Sequence, residues 1–110
     1  MIRATINRTK SGSIQSFTIS GHAAFAAHRS DIVCAGVSTI SIGTVNSIIG
    51  LTGITPDIEQ GADGYLRCEI PDNLPEDTQE KIQLLLESMV ITLQSMEKEY
   101  GKHIKLTFKQ

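Results

Sequence analysis

Cys34 and His22 are the residues of this 110-residue chain whose types and spacing could do covalent chemistry. The cysteine sits in Asp31-Ile32-Val33-Cys34-Ala35-Gly36-Val37-Ser38. The histidine sits twelve residues earlier, in Ser20-Gly21-His22-Ala23. A thiol in the first turn of a helix feels the positive end of the helix dipole and unsatisfied N–H groups, which favour the thiolate. The same N–H groups could donate to an oxyanion in acyl transfer. With a base nearby, that is the minimum equipment for nucleophilic catalysis. The competing reading of Cys34 is a small buried hydrophobe, and that of His22 is a surface loop residue. His28 lies in the same loop, and composition does not decide between the two histidines. His103, just before the last strand, reads as solvated. Asp31 has two roles open to it, helix cap or orienting partner of a histidine. Ser38 lies one turn beyond Cys34, at i+4, where it can serve a site or bond back to its own helix. The second thiol, Cys68, alternates with Leu66 and Ile70 and is expected to be an inert core residue.

Ile2, Ala4 and Ile6 alternate with polar residues, and Phe17 and Ile19 do the same after the Lys10-Ser11-Gly12 turn, predicting a hairpin. Ile14 falls out of that parity, which predicts a bulge. Gly21 to Ser30 reads as a small, polar loop in which Gly21 lets the backbone turn sharply at the strand end. Ser30 or Asp31 then caps a helix from about Ile32 to Leu51, with Val33, Val37, Ile40, Ile48 and Leu51 on one stripe. Gly36, Gly43 and Gly50 line a second stripe, which suggests close approach of another backbone, from the chain's own sheet or from a second subunit. A second hairpin spans Ile58 to Ile70. Pro75 opens a second helix, whose apolar residues recur from Ile82 to Tyr100 and which Gly101 ends. Ile104, Leu106 and Phe108 alternate in a last strand. The order β-β-α-β-β-α-β, with one apolar face per strand, predicts an α+β fold in two layers, the two helices packed on a largely antiparallel five-stranded sheet.

Length and composition fit one soluble domain covering residues 1–110. A net charge of −2 gives no electrostatic case for direct nucleic-acid binding. No charged residue occurs from Ile32 to Ile54, but four glycines and many hydroxyl residues fall there, so a buried soluble helix is expected rather than a membrane span. The two cysteines lack metal-like spacing and no leader pattern opens the chain, which points to the cytoplasm and to no metal or cofactor.

The combination of Ser20-Gly21-His22-Ala23 with Asp31-Ile32-Val33-Cys34-Ala35-Gly36-Val37-Ser38 resembles the ribosomal-processing cysteine proteases, small bacterial enzymes. The likeness continues through Val45-Asn46-Ser47-Ile48-Ile49-Gly50-Leu51-Thr52, Pro56-Asp57-Ile58 and Glu97-Lys98-Glu99-Tyr100, so it covers essentially the whole chain. The resemblance implies that His22 and Cys34 are the catalytic pair and that Asp31 and Ser38 support them. It implies a homodimer. It also implies a substrate, the N-terminal extension of the large-subunit ribosomal protein whose N-terminal arm approaches the peptidyl-transferase centre. The substrate loop would include Gly21, Ala23 and Arg29, and Arg29 stands where the family usually has glycine. Two other readings compete: a non-catalytic dimeric protein that binds a ribosomal protein or assembling ribosome, and a redox-sensing thiol protein. The second would need Cys68 within reach of Cys34 as a resolving thiol.

Overall fold

The computed structural model describes residues 1–21, 28–62 and 64–110, and of residues 28–31 the backbone alone. The predicted elements form in the predicted order: β1 (Ile2–Arg8), β2 (Ile14–Ser20), α1 (His28–Thr52), β3 (Asp57–Gln60), β4 (Leu66–Glu69), α2 (Glu76–Tyr100) and β5 (Ile104–Lys109). The five strands make one sheet in the order β3-β4-β2-β1-β5. Pairs β1–β2, β2–β4 and β3–β4 are antiparallel, whereas β1 and β5 run parallel, so the sheet is mixed. It follows that β2 runs parallel to β3, and β4 to β5. Each helix is therefore the crossover that a parallel connection requires.

Strands β1, β2 and β4 alternate as read, whereas the edge strands β3 and β5 leave Ile58 and Phe108 39% and 45% exposed, since a neighbour covers them on one side only. Ala4, Ile6, Phe17, Cys68 and Ile104 are fully buried. The parity break at Ile14 is a bulge: Asn7 faces Ser16 but Arg8 faces Ile14, leaving Gln15 as the extra residue on β2. The bulge returns Ile14 to the inner face, where it too is fully buried. Backbone groups freed there are satisfied from elsewhere. The Ile70 N–H donates to the Gln15 carbonyl (2.9 Å). The Gln83 side chain on α2 accepts the Ile14 N–H (2.7 Å) and donates to the Ile14 carbonyl (2.8 Å). On the free side of β5, the Leu106 N–H is taken by the Glu97 carboxylate (2.8 Å), which blunts that edge.

Helix α1 departs from the sequence reading in three ways. It is already formed at His28, a full turn before Ile32, because nothing from His28 to Asp31 breaks a helix; Asp31 is thus inside it and does not cap it. Its buried stripe is Val33, Val37, Ser41, Thr44, Val45 and Ile48, while Leu51 is 71% exposed. Ser41 and Thr44 are tolerated inside because their hydroxyls donate to the carbonyls of Val37 and Ile40, both at 2.6 Å. The glycine stripe meets no backbone of its own sheet. A Cβ on Gly36 would touch the Met96 methyl of α2, and at Gly43 and Gly50 it would meet nothing within 4 Å. The segment Ile32–Thr52 is long and apolar enough to cross a membrane by length and composition, yet it packs one face on the sheet and leaves an uncharged face outward. In a two-layer fold only one side of a helix is covered, so it is half-covered rather than buried all round. Helix α2 buries Ile82, Leu86, Met89, Val90 and Leu93, with Pro75 at its N-cap position and Glu76 and Asp77 in its first turn.

Candidate active site

The site starts at the end of β2. Ser20 is the last paired residue, opposite Arg3. Gly21 then adopts φ +86°, the left-handed region where side chains are strained. It is required for a second reason, since a Cβ here would collide with the carbonyl oxygen of Met1. The turn therefore rests against the start of β1, and β2 ends one residue before it. His22 and Ala23 lie outside the described residues.

From the other side, α1 brings Cys34 over the same end of the sheet. Gly21 and Cys34 line one open cavity of about 250 Å³. Its helix wall is Cys34, Ala35, Val37 and Ser38, and its floor is Ile2 of β1 and Ile19 of β2. Gly64, in the β3–β4 turn and itself at φ +71°, closes the far side. Cys34 is half-buried, Ser38 exposed. The wall carries only small side chains beside the thiol, so the sulfur is approachable by an extended chain. A second cavity, of about 160 Å³, adjoins the first and shares Ile19, Ser38 and Gly64 with it.

The sequence placed Gly21, Cys34 and Ser38 together, and the fold does so. Asp31 and Arg29 lie in the first described turn of α1 by their backbone, and their side chains fall outside the described residues. Because α1 is already helical at His28, Cys34 lies no earlier than its second turn. The free N–H groups of a helix are those of its first four residues, and the dipole acts mostly within the first turn, both upstream of Cys34 here. The sequence expectation that Cys34 sits among those groups is thus corrected, and its helix gives it less help than the capping reading implied. Ile2, Ile19, Val37 and Gly64 were not singled out as site residues. They come from distant parts of the chain, and nothing local in the sequence marks them.

Cys68 is the opposite case. It is fully buried on the inner face of β4, opposite Phe17 and Ile58. Burial pushes its thiol up to about 11, against a smaller opposing pull from Arg67. It is an inert core thiol, as the alternation predicted.

A family profile described as "Cysteine protease Prp" matches residues 1–105. The chain is 42% identical over 108 residues to the ribosomal processing cysteine protease Prp of Bacillus subtilis, covering 97% of this chain and 96% of that protein. It is 36% identical over 112 residues to the protein of the same name from Staphylococcus aureus, covering 99% and 100%. Among solved structures, the S. aureus protease in complex with a substrate peptide is similar at a TM-score of 0.87 and 34% identity, over 99% of this chain and 100% of that one. The same protease with a covalently linked product peptide is similar at 0.84 and 36% identity, with the same coverage.

Proposed function

Since the chain belongs to the Prp family of ribosomal-processing cysteine proteases, we propose that its single domain of residues 1–110 removes the N-terminal extension of a large-subunit ribosomal protein in the cytoplasm. The ribosomal protein meant is the one whose N-terminal arm approaches the peptidyl-transferase centre, with Cys34 as nucleophile and His22 as general base and acid. The observation that carries this reading is that Gly21, the residue before His22, lines the same cavity as Cys34. A solved relative with a covalently linked product peptide supports a covalent route. Family membership sets aside the reading as a non-catalytic binding protein, and the inward position of Cys68 speaks against a redox pair.

The reaction proceeds in two halves. His22 takes the thiol proton and the Cys34 sulfur attacks the scissile carbonyl carbon, forming a tetrahedral oxyanion. The C–N bond breaks as the imidazolium gives its proton to the leaving amine. Water, deprotonated by the same histidine, attacks the thioester, and the carboxylic acid leaves as the thiol is restored. With Cys34 no earlier than the second turn of α1, the oxyanion needs donors beyond its own turn. Ser38 is our candidate for one of them, and Asp31 for orienting the histidine. Cys34→Ala and His22→Ala should each lower kcat/KM on an extension peptide by at least about 10³-fold. Unchanged circular dichroism would show the fold retained. Mass spectrometry of the peptide reads the outcome, and undiminished cleavage by Cys34→Ala overturns the assignment.

The protease acts as a homodimer in this reading. Its support is the uncharged outward face of α1 over Ile32–Thr52 and, beside it, a depression lined by Leu51, Leu84 and Leu85 with Lys81, in which Leu51 and Leu84 are 71% and 73% exposed.

A further inference from the structure

The two adjoining cavities point beyond the bond-breaking residues, to how the peptide is selected. Together they form a trough that starts at Cys34 and runs along α1, with the β3–β4 turn as its opposite wall. The second cavity is bounded by Ser41 and Ile42 on α1, by Gly61 and Tyr65 across from them, and by Leu66 and Ile19 beneath. Ser41 commits its hydroxyl proton to the Val37 carbonyl, so from this wall it presents no free donor. Tyr65 is held by the turn itself: its carbonyl accepts the Gly61 N–H (3.1 Å) and its N–H donates to the Ala62 carbonyl (3.3 Å). The ring lies along Gly61, at 3.6 Å from where a Cβ would be. Among the described residues lining either cavity, none is charged.

Spacing along the helix fixes what the second cavity can read. Ser38, Ser41 and Ile42 follow Cys34 by four, seven and eight residues, which at about 1.5 Å per residue is about 6, 10 and 12 Å along the axis. An extended peptide advances about 3.3 Å per residue. A peptide with its scissile bond at Cys34 and its chain along the trough thus brings a side chain about three residues from that bond into the second cavity. We propose that this cavity is a specificity subsite for an uncharged side chain at that position, with Ile42 and Tyr65 as its specificity-determining residues. This rests on the peptidase reading of the same cleft.

The test uses the full chain and extension peptides substituted singly at each position around the scissile bond with Ala, Leu, Lys or Asp. The wild type should disfavour Lys and Asp about three residues from the bond by about tenfold or more in kcat/KM. Ile42→Asp should reverse that preference for Lys at this position and leave the preference beside the scissile bond as it was. Tyr65→Ala should relax the size limit at the same position. Ile42 is 43% exposed, so the charge does not enter the core. If cleavage depends on Cys34 but all three proteins share one profile at that position, the subsite is wrong and the peptidase reading stands. If the wild type cleaves nothing, the peptidase reading fails. Binding of the labelled peptides to Cys34→Ala, with and without Ile42→Asp, then decides the groove: a charge preference that moves with Ile42 supports it, and an unmoved one overturns it.

Discussion

The two cysteines are separated by environment, and that separation is measurable. Cys34 is half-buried at an open cleft, whereas Cys68 is sealed under the helices with its thiol near 11. At pH 8 an alkylating probe should therefore label Cys34 in the folded protein and reach Cys68 only in denaturant. The raised thiol also carries a linkage. The unfolded thiol, near 8.5, loses its proton first. The folded state then binds more protons than the unfolded one between that value and about 11, and stability falls as pH rises through this window. Cys68→Ala should remove that decline, worth about 3 kcal/mol over the window, while leaving cleavage intact. Denaturant titrations of both proteins from pH 8 to about 11 would check it. Cys68 was legible because alternation with Leu66 and Ile70 states which face a residue takes. Cys34 was legible as a residue but not in its helix position. Asp31 has the chemistry of a cap, and only the backbone from His28 onward shows that the helix has already begun.

At the scale of elements, α2 is the brace. Its Gln83, Glu87 and Glu97 reach down to β2, β1 and β5. Arg8 meets Glu87 through both terminal nitrogens, at 2.6 and 2.9 Å, and its guanidinium carbon lies 6.0 Å from the centroid of the Phe108 ring. The hydrogen bond from Arg8 holds the Glu87 carboxyl below its ordinary range. Glu87 is 41% exposed, so solvent screening limits the pair to about 0.5–1 kcal/mol. Its carboxylate is depressed, so this stabilisation is complete above the unfolded value of about 4.3 and is lost as pH falls through the lower folded value. The melting-temperature gap between wild type and Glu87→Gln should be largest at neutral pH and close as the carboxylate protonates. Periodicity found both helices and the bulge at Ile14, because each is a local repeat or a local break in one. It misjudged Leu51, whose spacing matches the buried stripe but which lies 71% exposed beside Leu84 and Leu85 of α2. It passed over Ser41 and Thr44, whose hydroxyls return to their own helix and so behave as apolar in the core.

For the whole molecule, parity told which face each strand turns inward but not which strand stands beside which. The parallel neighbour of β1 and the role of Gly64 at the cleft were therefore beyond local reading. The proposed dimer is tested at this scale. Leu84→Glu and Leu51→Glu add charge to exposed positions and should leave the melting temperature of a monomer nearly unchanged. Sedimentation should show a shift from dimer to monomer, and an unmoved dimer would place its contact elsewhere. The pairing of first and last strands has a further consequence, for the timing of activity. The Ile2 N–H donates to the His103 carbonyl at 2.9 Å, Ile2 floors the cleft, and the Met1 carbonyl abuts the Gly21 turn. The part of this clasp that holds Ile2 to His103 and β1 to β5 thus comes from segments translated about a hundred residues later. Chains stalled on the ribosome before β5 emerges should not cleave an extension peptide. Chains carrying a C-terminal linker long enough to expose β5 should. The expected outcome is that activity waits for the pairing of β5 with β1.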